Sequence, residues 1–165
     1  MYKINISSRT LHFLRPAGTS RGVYTTRKSY YVTLSDTNQP DVVGIGECAT
    51  LPDLSCDAMT DEEYEQKLRS FCNDFCHTGV IDIDAMRPYP SMLFGLETAK
   101  AQLDAKGSIN FFNTAFGRGE EGITINGLVW MGTFDEMYQR LETKLKAGFR
   151  CVKLKIGAID FEKEL

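Results

Sequence analysis

The segment from Thr124 to Gly157 constrains the fold more than any other part of the chain. Thr124-Ile125-Asn126-Gly127-Leu128-Val129-Trp130 is β-rich and mostly apolar. Thr133-Phe134-Asp135-Glu136 follows with the Thr-x-x-Glu spacing of a capping box. Met137, Leu141 and Leu145 then recur at helical spacing, and Gly148 stands where such a helix stops. Cys151-Val152-Lys153-Leu154-Lys155-Ile156-Gly157 alternates as a strand does. Strand, crossover helix, strand is a βαβ unit with a parallel pair. Parallel strands need cover on both faces, which a pair of strands cannot provide for itself. The segment therefore reads as the opening of a second, incomplete domain, with residues 160–165 beginning its next helix.

On the second of these strands Lys153 and Lys155 share a face, and Val152, Leu154 and Ile156 take the other. Ammonium groups side by side on an otherwise apolar strand repel each other and lose hydration, and both effects weaken a lysine's hold on its proton. A lysine in that state serves as a base near neutral pH. Taken alone, the segment is equally well a solvated edge strand whose lysines block unwanted pairing.

Upstream, residues 2–14 read as a strand, 15–22 as a Gly/Pro/Ser loop, 30–34 as a second strand, 35–40 as a turn and 42–48 as a third strand. Compact connections make these an antiparallel meander. Gly44-x-Gly46 lacks the third glycine and following helix of a phosphate loop, so close packing of the strand is the better account. A second capping box, Thr60 to Glu63, opens a helix with Tyr64, Leu68, Phe71, Cys72 and Phe75 on one face. A further helix covers Pro90 to Ala105 with Leu93, Leu96 and Leu103 inward and Glu97 and Lys100 on a solvated flank.

Composition sets limits on function. Hydrophobic residues at 42% and charged ones at 25% are globular proportions, and a net charge of −3 gives no basic footprint for nucleic acid or an anionic membrane. No apolar run has the length of a membrane span, and the alternating N-terminus lacks the apolar core of a signal peptide. The cysteines (Cys48, Cys56, Cys72, Cys76 and Cys151) are odd in number and have no framework spacing, which suits free thiols in a reducing cytoplasm. Cys72, Cys76 and His77 are the one metal-like cluster, without a second ligand pair at zinc-site spacing; buried structural cysteines explain it better. His12 carries no assigned role.

Five stretches, Pro16–Gly22, Gly44–Cys48, Leu96–Ala99, Ile125–Gly132 and Val152–Gly157, together resemble the enolase superfamily, in family order and over nearly the whole chain. The likeness is closest to the subgroup related to muconate-lactonizing enzyme. The resemblance implies an α+β capping domain over residues 1–106, built of a three-stranded antiparallel sheet and helices. A connection over 107–122 would lead to the first βαβ of a modified TIM barrel, incomplete, over 123–165. It further implies a Mg²⁺-dependent lyase that dehydrates a cyclohexadiene carboxylate through an enediolate, with a small-molecule carboxylate as partner and neither nucleic acid nor membrane.

By position in the family pattern, Lys155 is the general base and then the acid that returns a proton to the leaving hydroxyl, and Lys153 its neighbour at the carboxylate. Ser20 and Arg21 belong to the first capping loop, where a guanidinium meets a carboxylate. Leu51, with Pro52, walls the ring from the second loop; Met131 and Trp130 line the pocket, Trp130 with the alternative of a barrel-core role. The family's metal ligands and second lysine lie on later barrel strands, beyond Leu165, so no acidic residue here is assigned to metal and the chain by itself is expected to be inactive. Two other readings remain: racemisation or epimerisation of N-acyl amino acids or dipeptides by the same superfamily, and a non-catalytic α+β interaction module whose contact surface is Ile123–Ile156.

Overall fold

In the computed structural model, which describes residues 1–19, 22–155 and 162, apolar alternation builds the first layer. Strands β1 (Tyr2–Thr19), β2 (Gly22–Asp36) and β3 (Gln39–Ala49) form an antiparallel sheet in that order. Pairing sets Ile4 opposite Leu34, Ile6 opposite Val32 and Tyr30 opposite Cys48, so one face of the sheet is apolar across all of its strands. The β1–β2 hairpin is longer than the sequence suggests: it continues to Thr19 and from Gly22 across what reads as a loop at 15–22. The register shift between His12 and Ala17 explains this, because Pro16 sits where no ladder bond is required of it. At the other turn, Asp36 Oδ1 accepts the Asn38 N–H at 2.9 Å.

Helices α1 (Asp61–Thr78), α2 (Ile83–Met86) and α3 (Pro90–Asp104) cover that face. α1 begins at the expected capping box, reciprocal between Thr60 and Glu63, and ends at Gly79 with φ 72°. Tyr64, Leu68, Cys72 and Phe75 are buried, with Phe71 at the margin. α2 has no forerunner in the sequence reading; a single turn is too short to show periodicity, although Asp82 caps it through the Ala85 N–H. Lys100 pairs with Asp104, one turn on, at 2.6 Å, and its ammonium lies 5.8 Å from the Tyr2 ring centroid.

The glycines of β3 are explained by α3. A Cβ on Gly46 would overlap the carbonyl oxygen of Gly95, one on Gly44 that of Ala99, and one on Gly95 the sulfur of Cys48. Strand and helix meet backbone to backbone, and the Ile45 N–H reaches Gln102 Oε1 at 2.8 Å.

Beyond the sheet, β4 (Gly127–Val129) and β5 (Val152–Leu154) pair in parallel, joined by α4 (Phe134–Lys146). Both strands are shorter than their sequence signals. α4 starts at the expected capping box between Thr133 and Glu136, and Gly148 follows it with φ 84°. Met137 is buried and Leu141 half-buried, but Leu145 is 58% exposed: a helix lying on a two-stranded ladder has no surface for its last turn. The helix expected over residues 160–165 lies outside the described residues apart from Glu162.

All five cysteines are free thiols. Burial pushes the Cys48 and Cys72 thiols up to about 12 and raises Cys76, whereas Cys56 and Cys151 are exposed. His77 is exposed, its Nδ1 2.7 Å from the Asn73 carbonyl oxygen, so Cys72, Cys76 and His77 behave as parts of a helix and not as one ligand set.

Two outcomes follow from this core. Gly46→Ala is expected to lower stability by about 2–3 kcal/mol, read as a shifted urea midpoint, because neither backbone can yield to the methyl group. A raised folded-state thiol pKa means that the unfolded chain loses protons first as pH rises, so stability is intact below about pH 9 and falls progressively toward pH 12. Thermal melts across that range check the slope, and Cys72→Ala should reduce it.

Candidate active site

The parallel register decides which side chains meet. Gly127 lies opposite Val152, Leu128 opposite Lys153 and Val129 opposite Leu154. Gly127 and Val129 face α4: Val129 is fully buried, and a Cβ on Gly127 would touch the side chains of Phe149 and Lys144. Period two then puts Leu128, Trp130, Lys153 and Lys155 together on the opposite face. Lys153 is exposed there and Lys155 half-buried. The Lys155 N–H extends the ladder to the Val129 carbonyl at 3.0 Å, and its Nζ stands 4.2 Å from the centroid of the Trp130 ring.

α4 fixes the upper end of β4. Arg140 Nη1 donates to the carbonyl oxygens of Trp130 at 3.0 Å and Met131 at 3.1 Å, while Arg140 Nη2 lies 3.8 Å from Glu136. The Thr133 N–H, at 3.0 Å, holds the Glu136 carboxyl below its usual range, and the Thr133 hydroxyl, Arg140 and Arg15 add to that. Arg15, from the hairpin, shares with Leu128, Trp130, Glu136, Arg140 and Lys144 an open cavity of about 530 Å³. Neither arginine emerged from the sequence. Arg140 carried a readable signal, one helical turn after Glu136, whereas Arg15 sits in a stretch whose folding back onto α4 no local pattern encodes.

The second capping loop forms a separate cluster. The Leu51 N–H donates to Ser55 Oγ at 2.9 Å, and Leu51 is half-buried while Pro52 is exposed. Buried Asp57 accepts from the Ser91 N–H at 2.8 Å and its hydroxyl at 2.6 Å, and the Ser91 hydroxyl also meets the Tyr64 hydroxyl. Tyr24 of β2 donates to Asp53 at 3.1 Å, linking hairpin and loop. A cavity of about 480 Å³ beside this loop is lined by residues including Arg27, Glu47, Leu54, Asp57, Ser91 and Phe94; neither Lys153 nor Lys155 lines it. Of the expected site residues, Lys155 and Trp130 thus touch, Lys153 and Met131 lie beside them in sequence, and Leu51 belongs to another cluster. Ser20 and Arg21 lie outside the described residues. Among the described residues, no three His, Cys, Asp or Glu side chains converge to hold a metal ion.

No family model matches the chain. Its sequence is 36% identical, over 183 aligned positions, to o-succinylbenzoate synthase of Desulfotalea psychrophila, covering 93% of this chain and 49% of that protein. The crystal structure of MenC from Desulfotalea psychrophila LSv54 superposes with a TM-score of 0.63 at 27% identity, covering 98% of this chain and 50% of the other. The o-succinylbenzoate synthase of Thermosynechococcus elongatus BP-1, complexed with Mg in its active site, superposes at 0.60 and 22% identity over 99% and 45% of the two chains. The fold is that of the N-terminal half of an enolase-superfamily enzyme. The chain spans about half the length of the curated relative it matches. L-Ala-D/L-Glu epimerase of Bacillus subtilis superposes equally well, 0.63 at 18% identity over 98% and 46%, so this superfamily fold does not by itself separate dehydration from epimerisation.

Trp130 is the single tryptophan, which makes the anchoring at the end of β4 measurable. Arg140→Met should expose the indole to acrylamide quenching and cost about 1 kcal/mol in stability, since it leaves both carbonyl oxygens without their charged donor.

Proposed function

We propose that this chain supplies the capping domain (1–106), the connection (107–122) and the first βαβ of the barrel (123–165) of an o-succinylbenzoate synthase. The reaction is the dehydration of 2-succinyl-6-hydroxy-2,4-cyclohexadiene-1-carboxylate, a carbon–oxygen lyase step of menaquinone biosynthesis. The observation that carries the reading is the pair Lys153 and Lys155 on one open face, at the C-terminal end of a parallel strand. The identity to the Desulfotalea synthase supports it. Active sites of barrels stand at that end of the strands.

In this reading the Lys155 amine takes the proton from the carbon that bears the carboxylate. The C–H electron pair is first taken up by the carboxylate as an enediolate. It returns as a ring double bond when the C–O bond to the neighbouring hydroxyl breaks, and the lysine gives its proton to that oxygen, so that water leaves and the ring becomes aromatic. One group acting twice requires proton and hydroxyl on the same ring face. The Lys153 ammonium lies where charge accumulates on the carboxylate. Ser20 and Arg21 would meet a substrate carboxylate, with Trp130 and Met131 as apolar walls, while Leu51 stays with the separate cluster of its own loop. In this reading Mg²⁺ is the cofactor, held by acidic residues of later barrel strands; among the described residues no cluster of His, Cys, Asp or Glu side chains forms a site for it. Five free thiols suit a cytoplasmic enzyme.

The test compares the chain alone with the chain joined to the second half of the Desulfotalea synthase, following loss of the cyclohexadiene absorbance with Mg²⁺ present. The isolated chain is expected to be silent and the joined protein active, with Lys155→Met reducing kcat by about 10³-fold. Turnover by the isolated chain would sink the division of labour proposed here. A joined protein that instead exchanges the α-proton of N-acyl amino acids or dipeptides, leaving the cyclohexadiene intact, would transfer the reading to a racemase or epimerase.

A further inference from the structure

Lys153 and Lys155 are chemically identical, yet the ladder gives them different neighbours. Opposite Lys153 stands Leu128, an aliphatic side chain with no π face. One register step further along, Trp130 presents its indole to Lys155, with the ammonium 4.2 Å from the ring centroid. An ammonium at that separation is attracted by the negative face of the ring. Both partners are anchored through backbone: Lys155 by its N–H on Val129, Trp130 by its carbonyl on Arg140. Around the pair, Lys153 flanks Lys155 on its own strand, while Arg15, Glu136 and Lys144 share the cavity with Trp130. Trp130 is 37% exposed in this face.

We infer that Trp130 is a positioning residue for Lys155, its indole face holding the ammonium over the open side of the β4–β5 pair while Lys153 remains free. A lysine stem has several rotatable bonds, and return of the proton to the leaving hydroxyl requires the ammonium within hydrogen-bond reach of that oxygen. Fixing it in advance removes that search, and small displacements of a reacting group are costly. This role rests on the reading of Lys155 as the base and assigns Trp130 a duty beyond lining the pocket.

The experiment is NMR of the chain with ¹³C-labelled lysine, paired with mass-spectrometric quantification of limited lysine acetylation. The Lys155 ε-methylene resonance is expected upfield of the exposed lysines through the ring current. Trp130→Phe should retain part of that shift. Trp130→Leu should abolish it and raise acetylation of Lys155 relative to Lys153 by about two- to five-fold, the range a cation–π contact implies. Should Trp130→Leu fail to fold, the single tryptophan reports from the other side: Lys155→Met should alter its emission and quenching, and Lys153→Met should not. A Lys155 resonance at the exposed position in the unaltered chain, or equal emission changes in the two lysine variants, overturns the inference. Failure of the base assignment is distinct, since it would show as undiminished turnover by Lys155→Met in the joined protein and leave these spectra intact.

Discussion

Everything chemical in this molecule depends on the register of one short parallel ladder. Gly127 opposite Val152 fixes Leu128, Trp130, Lys153 and Lys155 on one side and gives Val129 to α4 on the other. A slip of one residue would drive both lysines into the helix and expose the valine. Two features resist it. Gly127 alone fits beneath Phe149 and Lys144, where a side chain would push α4 away, and Arg140 holds the two carbonyls that follow β4. The glycine at the start of the strand and the arginine at its end therefore do for the ladder what Gly44, Gly46 and Gly95 do for the sheet: they set a backbone distance that side chains then exploit.

The capping layer is organised so that its loops, and not its core, meet the second unit. Tyr30, Val32 and Leu34 are sealed beneath α1 and α3, while the polar links lie at the loop end of the sheet. Asp57 caps the first turn of α3 through Ser91, and Tyr24 reaches Asp53, so hairpin and second loop are tied to each other and to a helix terminus. Arg15 extends the same hairpin to α4.

Elements with a repeating or reciprocal pattern were legible in the sequence. Both capping boxes, the apolar face of α1, the meander and the strand–helix–strand order are visible because each is encoded within a few residues. The extent of the hairpin was not, because Pro16 and Gly18 look like a loop, whereas the irregularity between His12 and Ala17 spares Pro16 a ladder bond and Gly18 pairs with Val23. Leu145 matched the helical period yet stays exposed, since periodicity names the face that would be buried and not whether anything lies beneath it. In the site, the shared face of Lys153 and Lys155 follows from period two alone. The contact between Lys155 and Trp130 needs the register between two strands, which no single segment states, and Arg15 needs the tertiary fold.

α4 covers one side of the ladder only; on the other, Leu128 and Trp130 contact water, and Leu154 and Leu145 are left partly uncovered at the helix margin. A parallel pair in that condition gains little from apolar burial, so its order rests on local devices: the reciprocal cap of Thr133 and Glu136, the Arg140 anchor and the backbone bonds that flank the ladder. The same openness leaves Lys153 hydrated. Of two lysines that composition cannot tell apart, only Lys155 has a neighbour able to immobilise an ammonium without neutralising it. A carboxylate in place of the indole would attract the ammonium more strongly, and so hold both nitrogen and proton more firmly than the weaker pull of an aromatic face. An aromatic face restrains position while leaving the charge of the pair unchanged.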